Sequence, residues 1–355
     1  MKLYLPGPTN VREDVLQQFL KPLIGHRTKD ATELQKSISE NAQKIMGTKN
    51  EILLSTSSGT GLMEGAIRSC TTKKALICSV GSFGEKWYRI GCSNGIDTDK
   101  LESELGQPTD PDQLENMLQK HNYDFVGITH NETATGLENN LQELAEVMNR
   151  YPEIVWALDG VSSVGGVEIP ADQLGIDILI TSSQKCLGLP PGMSLCSFSE
   201  KAVQQARKVE HRGTYFDLLD LYNTLFIKDY QYTNTPAISN MFAMEYQFDY
   251  IINEEGLNNR FRRHIEMAEY IRDWAKKYFD LFADEKYLSK TATCIKNVRN
   301  IDVEKLIEEL DKRGITLSNG FGPLKNQTFR IGHMGDMTIN DMKILTRNIE
   351  EVLGL

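Results

Sequence analysis

Short runs of apolar residues recur along the N-terminal part of the chain. Each run is continuous rather than alternating, which is typical of strands buried on both faces of a sheet. A half-exposed strand would instead alternate apolar and polar residues. The predicted strands are EILL (51–54), ALICSV (75–80), DFVGIT (124–129), IVWALD (154–159), IDILIT (176–181) and SLCSFS (194–199).

The stretches between these runs carry apolar residues at helical spacing. Strand and helix patterns therefore alternate, and this order predicts an α/β fold with a mainly parallel sheet. The predicted helices cover about 30–46, 59–70, 111–120, 139–150 and 199–210.

The pattern changes after about residue 235, where strand-like runs become rare. A helix is predicted after Pro236, short strands near 291–298 and 327–333, and helices over 302–313 and 339–353. This indicates a smaller α+β domain, so we expect an N-terminal arm (1–15), a large domain (16–253) and a small domain (254–355). One long helix is predicted to bury a face formed by Leu257, Phe261, Ile265, Ala268, Ile271 and Ala275.

The overall composition restricts the class of protein. A length of 355 residues favours two domains, and a net charge of −10 disfavours nucleic acid and anionic membranes as partners. No apolar run is long enough to span a bilayer, and the first ten residues lack the apolar core of a signal peptide. The six cysteines lack metal-ligand or redox spacing, so we expect reduced, mostly buried thiols in a cytoplasmic protein.

Lys185 stands in an unusual place, between two buried strands in IDILITSSQKCLGLPPGMSLCSFS (176–199). Burial disfavours the charged ammonium form and makes the amine nucleophilic towards a carbonyl group. The alternative is a loop lysine that reaches solvent. The sequence around Lys185 alone does not decide between these two interpretations.

Asp159 follows another buried strand, in VWALDGVSS (155–163). Ligand sites of α/β proteins lie at the carboxyl ends of parallel strands, so Asp159 and Lys185 are predicted to meet at one edge of the sheet. An acid in that position can keep a pyridine nitrogen protonated. The alternative role for Asp159 is that of a turn or helix-capping residue.

A third feature is the segment LLSTSSGTGLMEGA (53–66), in which a strand is followed by small polar residues and a helix. Free backbone N–H groups and the helix dipole favour a phosphate at such a helix start. Ser58, Gly59 and Thr60 would lie there. The segment is not a Walker loop, because no Gly-Lys-Ser/Thr follows.

Together these features resemble the class V aminotransferases of the fold-type I pyridoxal-phosphate enzymes, especially the alanine–glyoxylate and serine–pyruvate branch. The resemblance covers nearly the whole chain, and Ser-Gln-Lys followed by Pro-Pro-Gly is its most specific string. The matching segments are LPGPTNV (5–11), SSGTGLMEGA (57–66), GSFGEKW (81–87), THNETATG (129–136), DGVSSVGG (159–166), SSQKCLGLPPG (182–192), TNTPAIS (233–239) and FRIGHMG (329–335).

The resemblance implies a fold-type I architecture with a seven-stranded sheet, a bound pyridoxal 5′-phosphate, and a role for each matching residue. Lys185 would hold the cofactor as a Schiff base and move the substrate's proton, and Asp159 would pair with the pyridine nitrogen. The other implied roles are ring packing by Phe83 and Val161, a hydrogen bond near the ring hydroxyl from Thr133, phosphate binding by Ser58, Gly59, Thr60 and Gln184, phosphate binding from a partner subunit by Asn234 and Thr235, substrate-carboxylate binding by Arg330, and a substrate-pocket wall at Gly7.

These roles imply a homodimer with shared active sites. The implied reaction moves an amino group from a small amino acid, alanine or serine, to a 2-oxo acid, glyoxylate or pyruvate. Each residue also has a simpler interpretation: Phe83 as core, Thr133 and Thr235 as turn residues, and Arg330 as a structural ion pair. Many relatives carry a tryptophan at the position of Phe83.

Other interpretations remain open at this stage. His130 lies in a His-Asn-Glu string similar to that of the stacking histidine in desulfurases, but Phe83 is preferred, and His130 is kept as a supporting residue. A lyase such as a cysteine desulfurase needs a mobile reactive cysteine, and Cys294 lies in a strand-like segment. His26 and Arg27 would suit an unusual substrate such as aminoethylphosphonate or ureidoglycine, or they are solvated polar residues at a helix start. A non-catalytic binding module is disfavoured by the presence of Lys185, Asp159 and Arg330.

Overall fold

The computed structural model describes residues 1–355. The predicted α/β fold with a seven-stranded sheet is confirmed. The strands are β1 (Lys2–Leu3), β2 (Glu51–Ser55), β3 (Ala75–Ser79), β4 (Thr98–Glu102), β5 (Phe125–Thr129), β6 (Asn131–Glu132), β7 (Leu137–Glu138), β8 (Val155–Asp159), β9 (Ile178–Ser182), β10 (Ser194–Phe198), β11 (Asp280–Leu281), β12 (Ala292–Lys296), β13 (Ile315–Thr316), β14 (Ser318–Asn319) and β15 (Thr328–Gly332).

The helices surround the central sheet and the small C-terminal sheet. None of them combines the length and the apolar character that crossing a bilayer requires. They are α1 (Glu13–Gln17), α2 (Lys29–Met46), α3 (Gly59–Cys70), α4 (Ser82–Ser93), α5 (Pro111–Lys120), α6 (Leu141–Met148), α7 (Ala171–Leu174), α8 (Glu200–Ala206), α9 (Leu218–Ile227), α10 (Ile238–Asp249), α11 (Leu257–Tyr278), α12 (Val303–Asp311) and α13 (Ile339–Leu353).

The central sheet has the strand order β2-β10-β9-β8-β5-β3-β4, and only β10 runs antiparallel to its neighbours. Its strands read as continuous apolar runs because alternate residues enter two different cores. In β5, Val126 and Ile128 pack into one core while Phe125 packs into the other, on the opposite face of the sheet. The parallel arrangement brings the carboxyl ends of β2, β3, β5, β8 and β9 to one edge of the sheet.

Local sequence explains several helix ends. In α5, the Asp110 carboxylate accepts hydrogen bonds from the backbone of Asp112 and Gln113, and Pro111 occupies the first turn, where no N–H is needed. In α13, Thr338 and Asp341 form a reciprocal capping box. Both helices begin where the sequence predicts.

The C-terminal part forms its own antiparallel sheet, in the order β11-β12-β15-β14. The N-terminal arm joins it, because β1 pairs in parallel with β13 and Tyr4 is buried in the core beneath that sheet. A π-helical segment, Tyr250–Glu255, connects α10 to α11, so the predicted boundary at residue 253 lies inside a helical connection. The boundary itself stays a prediction.

Several elements were not predicted, among them strand β4 and helices α4 and α9, and one predicted helix face differs from the structure. Strand β4 was not predicted, because it is a partly exposed edge strand with the charged sequence TDKLE. The predicted buried face of α11 is partly wrong: Ile265 is 37% exposed, whereas Arg260 and His264 are fully buried. The spacing of apolar residues gave the wrong buried face here. Arg260 has two carboxylate partners, and these allow its charged side chain to enter the core.

Candidate active site

A cleft of about 220 Å³ lies at the sheet edge where the strands β2, β3, β8 and β9 end. All the site residues predicted from sequence line it, except Thr133, Asn234, Thr235 and Arg330. The lining consists of Gly7, Pro8, Ser58, Gly59, Thr60, Met63, Phe83, Lys86, Asp159, Val161, Gln184 and Lys185.

Lys185 lies in the loop after β9 and is 9% exposed. Its amine donates a hydrogen bond to the Pro6 carbonyl of the N-terminal arm. The pKa of Lys185 is lowered to about 8, chiefly by burial and also by the positive charge of Arg330, while Cys186, Asp159 and Glu132 oppose the shift. A substantial fraction of the amine is therefore neutral, and nucleophilic, slightly above neutral pH.

Gly7 determines how close the arm can approach this lysine. A Cβ atom at Gly7 would lie 2.4 Å from the Lys185 Cδ atom and 2.6 Å from its amine nitrogen. Any larger residue at this position would push the lysine side chain out of its place in the cleft.

Asp159 is the last residue of β8 and is 5% exposed. One carboxylate oxygen, Oδ1, accepts a hydrogen bond from the backbone of Val161 at 3.0 Å, and Oδ2 has no hydrogen-bond partner. Burial raises the pKa of Asp159 to about 6, although the Val161 N–H and the positive charges of Lys185 and Lys86 oppose this. A buried carboxylate with a free oxygen is suited to face a cationic N–H group.

The third component of the cleft is the start of α3. The Ser58 side chain makes no capping hydrogen bond, so the first-turn N–H groups of Gly59 and Thr60 have no side-chain acceptor. A Cβ at Gly59 would lie 2.5 Å from the Val161 side chain, so glycine permits this close packing. Gln184 binds the Ser182 hydroxyl through its carbonyl oxygen, which leaves its amide nitrogen available. These groups can bind an anion such as phosphate.

Arg330, on β15, approaches from the small sheet. Its Nε donates to the Asn319 carbonyl at 3.0 Å and its Nη1 to the Thr133 carbonyl at 3.4 Å. No carboxylate pairs with it, and burial lowers its pKa. Its guanidinium lies 5.3 Å from the ring of Phe321, which stacks on Phe83 with 6.2 Å between ring centroids.

Asn234 and Thr235 do not reach the cleft of their own chain; both are exposed. Arg27 organises this loop, because its guanidinium donates to the carbonyls of Tyr232, Thr233 and Asn234. Arg27 is therefore engaged with the chain's own backbone, a role that its sequence context did not indicate.

His130 lies outside the cleft. Its Nδ1 is 2.8 Å from the Ser163 hydroxyl, and burial lowers its pKa to about 4. It lines a different and larger cavity, of about 440 Å³, that contains neither Lys185 nor Asp159. Phe83, in contrast, lines the cleft itself.

Sequence reasoning missed Lys86, Glu132 and Phe321. Lys86 lines the cleft, and its position one turn after Phe83 on α4 was a usable signal. Glu132 is buried next to the matched Thr133. Phe321 is distant in sequence from the other site residues, and only the fold brings it to Phe83.

These groups fit pyridoxal 5′-phosphate. The amine of Lys185 suits its aldehyde, the free oxygen of Asp159 suits a protonated ring nitrogen, and the start of α3 suits its phosphate. The cysteines do not offer a competing nucleophile: Cys294 is buried in β12, and burial raises the pKa of its thiol to about 11.

Comparison with known proteins agrees with this chemistry. The family model for aminotransferase class-V matches residues 13–342. An uncharacterized aminotransferase of Methanocaldococcus jannaschii is 35% identical, over 94% of this chain and 87% of its own length. A serine–glyoxylate aminotransferase of Methylorubrum extorquens is 30% identical, over 97% of this chain and 88% of its own.

Among solved structures, alanine–glyoxylate aminotransferase from Nostoc sp. superimposes with a TM-score of 0.92. The two chains are 25% identical, and the match covers 99% of this chain and 94% of the other. The similarity therefore includes both the central sheet and the small C-terminal sheet.

Proposed function

The chain belongs to the class V aminotransferases, and from that premise we propose that it moves an amino group from a small amino acid to glyoxylate, using pyridoxal 5′-phosphate held by Lys185. The observation that best supports this is the meeting of a buried amine, a buried carboxylate with a free oxygen and an uncapped helix start in one cleft. The serine and alanine enzymes among its relatives differ in donor but share glyoxylate in their names. Pyruvate is the second candidate acceptor.

Lys185 and Asp159 carry the proposed chemistry. When bound, pyridoxal 5′-phosphate supplies a ring that withdraws electrons from the substrate's α-carbon. Lys185 would hold the cofactor covalently through its side-chain amine, and the same amine, once released, would move a proton at that carbon. Asp159, whose Oδ2 is left free because Val161 binds Oδ1, would accept a hydrogen bond from the ring nitrogen and stabilise its positive charge.

The remaining predicted residues are proposed to orient the cofactor and the substrate. The backbone of Gly59 and Thr60 and the side chains of Ser58 and Gln184 would hold the phosphate, while Phe83 and Val161 would pack against the ring. Thr133 would hydrogen-bond near the ring hydroxyl. Arg330 would bind the substrate carboxylate, and Gly7 would line the substrate pocket.

Two alternative reactions are less well supported. Arg27, which was considered for an unusual substrate such as ureidoglycine or aminoethylphosphonate, already donates to three backbone carbonyls. The desulfurase alternative would require Cys294 to be mobile and readily ionised, but this cysteine is buried in β12 with a raised pKa.

We also propose a homodimer in which Asn234 and Thr235 bind the phosphate held by the partner subunit. Their exposure leaves them available to a neighbouring chain. Exposed apolar side chains lie close in sequence to Arg27 and to the 232–234 loop that Arg27 binds. Leu20 and Leu23 are 83% and 72% exposed, and Ile227 is 78% exposed. Exposed apolar surface of this kind favours association.

The six cysteines form no disulfide, which supports a reducing, cytoplasmic location.

The first experiment tests the cofactor and the reaction together. Purified protein with pyridoxal 5′-phosphate is expected to show a visible absorbance band that alanine or serine shifts and glyoxylate restores. Pyruvate, ureidoglycine, aminoethylphosphonate, aspartate and cysteine are compared as substrates. A protein that shows no visible band after incubation with the cofactor would contradict the proposal.

The attachment point can be mapped separately. Borohydride reduction fixes a cofactor that is bound to a lysine amine, and peptide mass spectrometry then identifies the lysine. We expect the modification on Lys185 and not on Lys86, the other lysine that lines the cleft. Lys185→Ala should abolish the adduct, while Lys86→Ala should retain it.

A subunit-mixing experiment tests the shared site. Lys185→Ala chains are mixed, unfolded and refolded with chains that carry both Asn234→Ala and Thr235→Ala. At limiting cofactor, random pairing should restore about a quarter of the wild-type activity, because half of the dimers contain one intact composite site. No recovery above that of the separate variants would show that these residues do not act across the interface.

A further inference from the structure

Glu132, on β6, is a buried carboxylate to which the proposed reaction assigns no role. It is 0% exposed and forms no ion pair with a cationic side chain within 4.0 Å. Instead, its two oxygens accept hydrogen bonds from two different backbone segments: Oε2 from Phe83 at 2.8 Å and Oε1 from Ala134 at 2.9 Å. Both oxygens act as acceptors, so the ionised carboxylate satisfies the site best.

The first of these bonds caps helix α4. The residue before that helix is Gly81, which has no side chain with which to cap it. Glu132 supplies the missing acceptor from another part of the chain, at the positive end of the helix. A Cβ at Gly81 would lie 2.6 Å from the Glu132 Cγ and 2.9 Å from Oε2, so glycine leaves the space that the carboxylate occupies.

The second bond fixes the segment beside Arg330. Ala134 follows Thr133, whose carbonyl accepts a hydrogen bond from Arg330. Phe83, in the first turn of α4, lines the cleft. A single carboxylate thus ties the aromatic wall of the cleft to the segment that contacts Arg330.

The charge of Glu132 also acts on the cleft. Burial lowers the pKa values of Lys185 and Arg330, and the negative charge of Glu132 opposes both shifts. Burial raises the pKa of Glu132 itself to about 7, against the effect of the N–H groups of Ala134 and Phe83.

We propose that Glu132 is a positioning residue for amino transfer: its carboxylate holds Phe83 and the Thr133–Ala134 segment in place, and in its ionised form it adds a negative charge near Lys185. This inference rests on the proposed function, in which Phe83 and Thr133 contact the cofactor. It assigns Glu132 no contact with the cofactor or substrate.

Glu132→Gln is the most direct test, because glutamine keeps the size but has only one oxygen. In either orientation its NH₂ group faces a backbone N–H, of Phe83 or of Ala134, and one hydrogen bond is lost. We expect cofactor affinity to fall roughly 10- to 100-fold. The titration midpoint of the visible cofactor band should move to lower pH, because a negative charge near the lysine-linked nitrogen has been removed.

Asp124 provides a matched control. It is a buried carboxylate at the opposite end of β5, and it accepts hydrogen bonds from the backbone of Thr72, Lys73 and Lys74. Asp124→Asn introduces the same kind of donor conflict far from the cleft. It should lower the melting temperature while leaving the cofactor affinity and the band's midpoint unchanged.

A second variant covers the case in which Glu132→Gln does not fold. Gly81→Ala keeps the carboxylate but displaces it from Phe83, so it should weaken cofactor binding in the same direction. Wild-type affinity and midpoint in Glu132→Gln, or wild-type affinity in Gly81→Ala if only that variant folds, would overturn the inference. An equal loss of affinity in Asp124→Asn would also overturn it. Failure of the wild-type protein to bind the cofactor or transfer amino groups would instead contradict the proposed function.

Discussion

Two arginines in the C-terminal part of the chain have opposite surroundings. Arg260, on α11, is fully buried and pairs with Glu255 at 2.5 Å and Asp336 at 2.8 Å. It also donates to the carbonyls of Gly165 and Cys186. Arg330 is only partly buried, and it meets only carbonyl oxygens and an aromatic ring.

The difference separates a structural charge from one that is available to a ligand. Burial lowers the pKa of Arg260, but Asp336 and Glu255 outweigh that effect and raise it. For Arg330 burial dominates and its pKa is lowered. Burying a charge without a counter-charge is unfavourable unless a ligand compensates, so Arg330 is expected to act in binding and Arg260 in stability.

The largest effect is expected for Arg260→Leu, which leaves Glu255 and Asp336 buried without their cation. The free energy of unfolding should fall by about 3–5 kcal/mol. Denaturant unfolding of the cofactor-free protein measures it.

Arg263→Gln is the matched control for Arg260→Leu, because Arg263 binds the same Glu255 but is 21% exposed. It should cost about 1 kcal/mol. Equal losses in the two variants would show that burial does not distinguish these ion pairs.

Arg330→Gln should show the reverse behaviour. Removing an unpaired, partly buried charge leaves the unfolding free energy within about 1 kcal/mol of wild type, or raises it. The value of kcat/KM should fall, by an amount that corresponds to about 2–4 kcal/mol of lost transition-state stabilisation. The change should appear mainly in KM, because the substrate carboxylate loses its partner.

Steady-state kinetics with alanine and glyoxylate measures that loss. Arg330→Lys, which keeps the charge but not the two-pronged geometry, should lie between Arg330→Gln and wild type. The comparison fails if Arg330→Gln destabilises the fold as much as Arg260→Leu while keeping normal kinetics.

Asp159 extends the comparison to an acid. Its pKa is about 6 in the folded protein, raised by burial from 3.8, so between these values the folded state binds more protons than the unfolded state. Stability contributed by this group is therefore fully present below pH 3.8 and is lost as pH rises through 6.

Relative to Asp159→Asn, the cofactor-free wild type should lose about 2 kcal/mol of unfolding free energy across that interval. Unfolding curves of both proteins at several pH values measure the difference. A constant difference across the interval would mean that Asp159 is not forced towards its neutral form, and that a free carboxylate oxygen carries no energetic penalty here.

The sequence was most informative where a structural element has a local cause. Strands such as 154–159 were predictable because both of their faces are buried; Asp159 ends one such strand, and Lys185 lies in the loop after another. The starts of α5 and α13 were predictable because the residues that cap them, Asp110 and Thr338, lie next to them in the sequence.

What escaped prediction depends on partners that are distant in the chain. Strand β1 pairs with β13, and Phe321 meets Phe83, across most of the sequence. Arg260 enters the core only because the fold brings Asp336 to it. Helix α4 follows Gly81, which has no side chain to cap it, and the acceptor that caps the helix is Glu132, on strand β6. Apolar spacing carries no information about such contacts.

The smallest effect is expected for Cys294→Ala, directly opposite Arg330 in the sheet. The thiol is 3% exposed, and burial raises its pKa to about 11, so it is a packing group rather than a nucleophile. The substitution should cost about 1 kcal/mol of unfolding free energy. Amino transfer should stay within about twofold of wild type, a change well under 1 kcal/mol. A cysteine-dependent release of sulfide that disappears in this variant would instead favour the desulfurase alternative, and Arg330 would then bind the substrate of a different reaction.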